Sequence, residues 1–252
     1  MSHVAVVTGG MGGLGEAICM KLGKMGYKVV ATYSPGNTKH NEWLAEMKKQ
    51  GYEFRAVPVD VTNFESCQQA IAQIAKDVGP VDVLVNNAAM RNYSALADAT
   101  PAEWQAMLGV NLVGTATMSR LALPYLRASG RGSIVNVSSA HALIGRKGMG
   151  LYDSTKAGML AMTRTLAFEE VQYGVRVNAV CPGSTFTDFH IGRAVAAGKS
   201  PAQLKTERAG NSLMGRWAEP QEMAWPIVWL ASDEASFITG ATLMADGGLS
   251  IM

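Results

Sequence analysis

Val4-Ala5-Val6-Val7-Thr8-Gly9-Gly10-Met11-Gly12-Gly13-Leu14-Gly15 opens the chain with a short apolar run and a glycine-rich turn, after which Ala17, Ile18, Leu22 and Met25 recur at helical spacing. The change of period predicts a strand, a tight turn and a helix in that order. Glycines in such a turn let the backbone reverse sharply, let a pyrophosphate approach the main chain and let the helix pack closely on the sheet. Exposed N–H groups and the positive helix end then hold the phosphates. On this stretch alone a glycine-rich turn without a ligand stays open as the alternative.

A second stretch, Gly150-Leu151-Tyr152-Asp153-Ser154-Thr155-Lys156, places a phenol and an amine four residues apart. On a helix, positions i and i+4 share a face, so the Lys156 ammonium lies beside the Tyr152 hydroxyl and stabilises its ionised form. A phenol so placed is a general acid for hydride chemistry, where a ketone oxygen gains negative charge and needs a proton. Ser139 follows the apolar run of residues 132–138, and its hydroxyl is placed to hold the carbonyl and stabilise the developing oxyanion. Ser138 points the other way if the strand persists that far.

At 252 residues, 48% hydrophobic and 17% charged, the chain can bury one substantial core. A formal charge of +2, without a basic stripe interleaved with aromatics, makes no case for nucleic acid. No apolar run reaches the roughly 18 residues of a membrane helix. The first strand begins almost at the N-terminus, leaving no room for a signal peptide. Three scattered cysteines, Cys19, Cys67 and Cys181, without C-x-x-C spacing suit a reducing, cytoplasmic setting. His3, His40, His141 and His190 have no metal-ligand spacing, so no metal is expected. The fifteen methionines are expected as core and lid filling. Ser139 and His141 lack the G-x-S-x-G elbow of a hydrolase.

Strand and helix patterns alternate without a break, which predicts one α/β domain over residues 1–252. Strands are expected over 3–8, 28–33, 53–58, 81–86, 132–138, 175–180 and 241–245, all short runs suited to burial on both faces. Thr62 to Glu65 and Thr100-Pro101-Ala102-Glu103 both fit capping boxes at helix starts. Right-handed crossovers gather the strand ends along one edge, where ligands of such sheets bind.

The ordered set Thr8-Gly9-x-x-x-Gly13-x-Gly15, Asp60-Val61, Asn86-Asn87-Ala88, Asn111, Ser139, Tyr152/Lys156 and Pro182-Gly183 with Thr187 resembles the short-chain dehydrogenase/reductases from residue 3 to residue 248. The resemblance implies a doubly wound Rossmann-type fold with a seven-stranded parallel sheet, helices on both faces, and a nicotinamide cofactor. It implies that Gly9, Met11, Gly12, Gly13, Leu14 and Gly15 cradle the cofactor. Asp60 and Val61 would border the adenine, and Asn87 and Ala88 would lie along the cofactor. Pro182, Gly183, Thr185 and Thr187 would embrace the nicotinamide end. Asp60 has the alternative of capping the helix that starts near Asn63, and Asn86-Asn87 that of an ordinary turn. The resemblance also gives Lys156 the nicotinamide ribose, and gives Asn111 a helix bend and a water that reprotonates Lys156. Ala89 departs from the family's Asn-Asn-Ala-Gly, and its methyl narrows the floor beneath the nicotinamide.

After the second strand no carboxylate appears until Glu42, whereas Thr32, Ser34, Lys39 and His40 offer hydroxyls and cations, which favours NADPH over NADH. Lys39 has the alternative of a solvated charge at a helix start. The substrate pocket is expected from Met90, Arg91, Asn92, His141, Leu143, Ile144, Met149, Ser184 and Phe186, beneath a lid over about 188–214. The lid's Arg193, Lys199, Lys205 and Arg208 either meet an anionic substrate or form a solvated helix face. The opening segment looks most like acetoacetyl-coenzyme A reductases, but residues 143–150 and the lid do not follow their pattern. The expected activity is hydride transfer between NADPH and a carbonyl/secondary-alcohol pair, with a 3-oxoacyl thioester as one substrate. An NAD-dependent alcohol, polyol or ring-hydroxyl dehydrogenase and a dinucleotide-sensing protein without turnover are the alternatives. The resemblance implies a homo-oligomer, dimer or tetramer, through the helices near 101–128 and 151–173, with Leu121, Ala122, Leu160 and Ala161 either at the contact or internal.

Overall fold

β1 (Val4–Val7) is buried along its whole length, with Val4 and Val6 turned to one face and Ala5 and Val7 to the other. A strand with no wet face requires helices on both sides. Val4 and Val6 join Ile71 and Ile74 of α3 (Phe64–Asp77) and Met118 and Leu126 of α5 (Gly114–Ser129). Ala5 and Val7 join Ile18 and Leu22 of α1 (Gly13–Lys24) and Ile227 and Val228 of α9 (Pro220–Ala231). The computed structural model describes residues 3–207 and 211–252.

Around β1 a 7-stranded sheet forms in the order β3-β2-β1-β4-β5-β6-β7, every neighbouring pair parallel. Its other strands are β2 (Lys28–Tyr33), β3 (Arg55–Pro58), β4 (Val81–Asn86), β5 (Ser133–Val137), β6 (Arg176–Pro182) and β7 (Thr242–Ala245). Each lies where the apolar runs predict one. β6 extends past residue 180 because Cys181 and Pro182 continue to pair with Met244 and Ala245. The strand order reverses direction between β1 and β4, which opens a crevice at the carboxyl ends of those strands.

Two helix starts differ in their chemistry. α4 (Pro101–Leu108) has the predicted box, with Thr100 Oγ1 accepting from the Glu103 N–H and the Glu103 carboxylate accepting from the Thr100 N–H. The predicted Thr62–Glu65 box is not formed. Asn63 caps α3 by accepting from the Ser66 N–H at 2.8 Å, because Thr62 is engaged with Asp60.

The long helix expected near 101–128 is interrupted by a π turn, Gly109–Val113, between α4 and α5. By length and composition Pro101–Ser129 could cross a membrane. Here Met107, Met118, Ala122 and Leu126 are buried against the rest of the domain, and Glu103, Arg120 and Arg127 lie along the same helix. Ala122 and Leu160 of the expected association faces are internal core residues, Leu121 packs against the core, and Ala161 is exposed.

The first loop depends on glycine in two ways. Gly9 adopts φ +61°, in the left-handed region that favours glycine. A methyl at Gly15 would meet the Gly9 carbonyl oxygen and stand 2.9 Å from Asn87 Nδ2. Gly15→Ala is therefore expected to lower stability by about 1–3 kcal/mol, read as a lower urea midpoint. Gly36→Ala, whose added methyl meets nothing within 4 Å, should unfold with the wild type. Equal midpoints for all three proteins would contradict the packing described.

Candidate active site

A cavity of about 540 Å³ opens at the carboxyl edge of the sheet, bounded by the first loop, the ends of β4, β5 and β6, and the start of α6 (Gly150–Glu170). The first loop is tied to β4 by polar contacts. Asn87 Nδ2 donates to the carbonyls of Thr8 and Gly9, both at 3.0 Å, and Thr8 Oγ1 accepts from the N–H groups of Asn87 and Ala88. Gly12 is the N-cap of α1 and supplies no side-chain cap, and while the Gly15 N–H turns back to the Gly12 carbonyl at 3.0 Å, the Gly13 and Leu14 amides stay available to an anion. Space above Gly12 is open, with no atom within 4 Å of where a Cβ would stand. The residues present therefore fit a dinucleotide phosphate.

Tyr152 is 3% exposed and lines the cavity, and among the described residues no protein group hydrogen-bonds its hydroxyl. Ser139 Oγ accepts the N–H of His141 at 3.2 Å. Its own proton is thereby left to donate into the cavity. Ser138 also borders the cavity, yet its hydroxyl donates to the Lys156 carbonyl at 2.9 Å.

Lys156 is buried one turn along α6, with Nζ 5.6 Å from the Tyr152 ring centroid and donating to the Val137 carbonyl at 2.7 Å. Burial first, and the Arg91 charge second, pull this amine down to about 7. Near neutrality it gives up and retakes a proton easily, as a proton relay must.

Asn111, fully buried in the π turn, accepts the Met90 N–H at 2.8 Å. Its amide also donates to the Met90 carbonyl and to Thr155 Oγ1, both at 3.0 Å. It thus joins the loop after β4 to α6 at the residue preceding Lys156. The bend comes with the π turn, a device frequent at functional sites.

Two guanidinium groups flank the phenol. Arg91 Cζ lies 5.1 Å and Arg146 Cζ 5.5 Å from the Tyr152 ring centroid. Arg146 is held by Asp153 through bonds of 3.2 and 2.8 Å. Burial raises the Asp153 carboxyl from its ordinary value, against the lowering effect of Arg146. Arg91 Nη1 lies 3.0 Å from His190 Nε2, and His190 Nδ1 lies 3.0 Å from Thr187 Oγ1. Guanidinium can only donate, so Nε2 accepts and Nδ1 carries the proton donated to Thr187.

The cavity brings together Gly9, Gly12, Gly13, Leu14, Gly15, Asn87, Ala88, Arg91, Ser139, His141, Tyr152, Lys156, Pro182, Gly183, Ser184, Thr185 and Thr187, all expected from the sequence, with Ala89 also on its wall. Met11 instead packs with the core on the α1 side. Met149 is buried beside Met107 and Leu151, Phe186 sits edge-on against Trp217, and Leu143 is 60% exposed away from the cavity. Asp60 and Val61 lie outside the cavity too. Asp60 accepts from the Thr62 N–H and hydroxyl instead of capping α3, and Val61 packs where a methyl on Gly114 would fall.

At the second strand Thr32 is 1% exposed, leaving Ser34 and Lys39 on the surface, while His40 stacks on Tyr33 at 4.7 Å. Over the cavity lie α7 (Asp188–Ala196) and, beyond it, α8 (Pro201–Glu207). Of the expected lid cations, Lys199 pairs with Glu207, Lys205 pairs with Glu219, and Arg193 lies over the Tyr93 ring. Arg208 lies outside the described residues. Arg146 and His190 are cavity residues that the sequence did not single out. His190 had a signal, three residues beyond the N-cap Thr187, whereas the Arg146–Asp153 pair spans an irregular loop and had none.

Residues 9–250 match the family described as enoyl-(acyl carrier protein) reductase. An acetoacetyl-CoA reductase of Rhizobium meliloti is 39% identical over 249 residues, 98% of each chain. The short chain dehydrogenase/reductase astE of Aspergillus oryzae is 36% identical, over 99% of this chain and 95% of its own. Among solved structures, ElxO with NADP bound superposes with a TM-score of 0.91 at 28% identity, over 100% of both chains.

The Lys156 site generates a pH prediction for the protein without cofactor. Unfolded lysine titrates near its ordinary value of 10.5 and the folded amine at about 7, so the unfolded chain binds more protons between those values. Stability must then rise with pH in that window. Burial raises the thiol of Cys19, which opposes the rise only from about pH 9 upward. From pH 7 to 9 the wild type should gain up to about 2 kcal/mol in urea unfolding, and Lys156→Met should lose most of that slope. Parallel pH profiles for the two proteins would show that Lys156 is not held as described.

Proposed function

The chain belongs to the short-chain dehydrogenase/reductase family of nicotinamide-dependent oxidoreductases, and from that premise we propose that it uses NADPH to reduce the ketone of a 3-oxoacyl compound to a secondary alcohol. The observation that carries this reading is one cavity bordered by the Tyr152 and Ser139 hydroxyls at one end and the uncapped glycine turn at the other. The 3-oxoacyl skeleton is supported by the acetoacetyl-CoA reductase similar over 98% of this chain. NADPH is supported by the absence of a carboxylate between Lys28 and Glu42 and by the exposed Ser34 and Lys39, a hydroxyl and a cation suited to a 2′-phosphate. The NADP carried by ElxO adds support.

When bound, the reduced nicotinamide supplies the hydride. The protein's own part is to orient the ketone and manage its charge. Gly12, Gly13 and the first turn of α1 would hold phosphate, and Thr185 and Thr187 would border the nicotinamide end. Ser139 donates to the ketone oxygen as negative charge gathers there. Tyr152 delivers the proton that completes the alcohol. Lys156 stabilises the resulting phenolate and passes it a proton, and Asn111 positions α6 for both. α7 covers the cavity and limits water during the transfer.

Self-association belongs to the same proposal, because Phe168 and Trp225 expose 87% and 60% of their surface on helices that flank the sheet. The cytoplasmic setting rests on Cys19, Cys67 and Cys181, which are buried and unpaired.

Tyr152→Phe removes the transferable proton and nothing else of comparable size. Turnover of a 3-oxoacyl substrate should fall by about 10²–10⁴-fold while the NADPH dissociation constant stays within about threefold. Fluorescence titration should also rank NADPH at least about tenfold above NADH. Retained turnover in Tyr152→Phe would contradict the catalytic assignment. Tighter binding of NADH would contradict the cofactor assignment alone.

A further inference from the structure

Arg91 is the cation whose placement the reaction leaves unexplained. It borders the cavity, 5.1 Å from the Tyr152 ring centroid, and among the described residues it has no carboxylate within ion-pair distance. Its neighbours are differently served. Arg146 is bridged by Asp153, and Lys156 donates to a backbone carbonyl. Asp188, also on the cavity wall, forms no ion pair with Arg91.

The side chain is held in place. Met90, immediately before it, is bonded by Asn111 through both its N–H and its carbonyl. The guanidinium meets His190 at 3.0 Å and lies 5.4 Å from the Phe189 ring centroid. His190 is itself fixed by Thr187 and set 5.3 Å from the Trp217 ring. A guanidinium has five N–H donors in a planar fork, and the contact with His190 uses one of them. What remains is the rest of an exposed planar fork on the cavity wall beside the Tyr152 ring, and such a fork matches a carboxylate in two parallel bonds.

We propose that Arg91 binds a carboxylate carried two or three bonds from the reacting ketone, so that the enzyme prefers free 3-oxo acids to their neutral esters and thioesters. This rests on the carbonyl-reductase reading and narrows its substrate class. In R–CO–CH₂–COO⁻ the acid stands where a thioester carbonyl stands in an acyl carrier substrate, and only the acid brings the charge that answers Arg91. Ketone and carboxylate then divide the site between them: Ser139 and Tyr152 take the oxygen that becomes the alcohol, and Arg91 takes the oxygens that do not react. Binding at a distance from the reacting carbon orients the ketone.

The test uses the full chain with 3-oxobutanoate, its methyl ester and its S-methyl thioester as probes. With NADPH, wild-type kcat/KM should be greatest for the acid. Arg91→Met should lower the acid-to-ester ratio of kcat/KM by about 50-fold, and Arg91→Lys should restore part of it. Calorimetric titration of 3-oxobutanoate into the protein without NADPH, either empty or loaded with NADP⁺, which cannot reduce a ketone, gives a second measure that needs no turnover, and there Arg91→Met should weaken acid binding by a similar factor. A wild type that favours the ester or thioester overturns the proposal, as does an Arg91→Met protein that loses acid and ester equally or loses NADPH affinity instead. Absence of NADPH binding, or absence of reduction of all three probes despite tight acid binding, would count against the reductase reading and leave the carboxylate assignment to the calorimetry.

Discussion

The carboxamide of Asn111 is the junction on which the arrangement of the proposed catalytic residues depends. One buried side chain accepts from the Met90 N–H and donates to the Met90 carbonyl and the Thr155 hydroxyl. It thereby fixes the loop after β4 against α6. Arg91 follows Met90 directly, and Lys156 follows Thr155 directly, so two of the three cations around the phenol take their positions from one amide. An α-helix running straight through residues 109–113 would aim that amide elsewhere, which gives the π turn a purpose beyond packing. Because the Asn111 amide is fully buried, losing one of its partners leaves a polar group unsatisfied as well as misplaced.

The sheet gives this junction its rigidity. β1 buries alternate residues in two separate cores, and β4 does the same with Leu84 against Val83 and Val85. Polar side chains of the interior link several elements. Asn86 donates to Asn136 and Ser119, and Asn136 donates to Thr163, so β4, β5, α5 and α6 are joined beneath the cavity floor. Such a network resists the small displacements that would separate donor from acceptor at the site.

Much of this was legible in the residues. Runs such as Val4–Val7 and Val81–Asn86 announce buried strands because no polar alternation interrupts them, and the glycine turn, Ser139 and the Tyr152/Lys156 pair announce the chemistry because their spacing is local. Thr100 was legible as a cap for the same reason. What escaped depends on long-range contact or on loop geometry. Thr62 fits a capping pattern by spacing, yet Asp60 claims it and Asn63 caps instead. Met149 and Phe186 sit beside pocket residues in the chain, but apolar side chains follow the nearest dry surface, and each found one away from the cavity. Arg146 reaches the phenol by way of Asp153 across an irregular segment.

Charge completes the picture. Lys156, Arg91 and Arg146 surround one ring, and only Arg146 has an acid of its own. A site of this kind is poised for negative charge, whether it develops on the phenol or arrives with a ligand. The central claim is that this arrangement hangs on the Asn111 amide. Its most direct test is the single-turnover rate of hydride transfer in Asn111→Ala, followed by loss of NADPH absorbance at a temperature where the variant remains folded. The account predicts a rate lower by about 100-fold with NADPH affinity retained, and a rate equal to that of the wild type would contradict it.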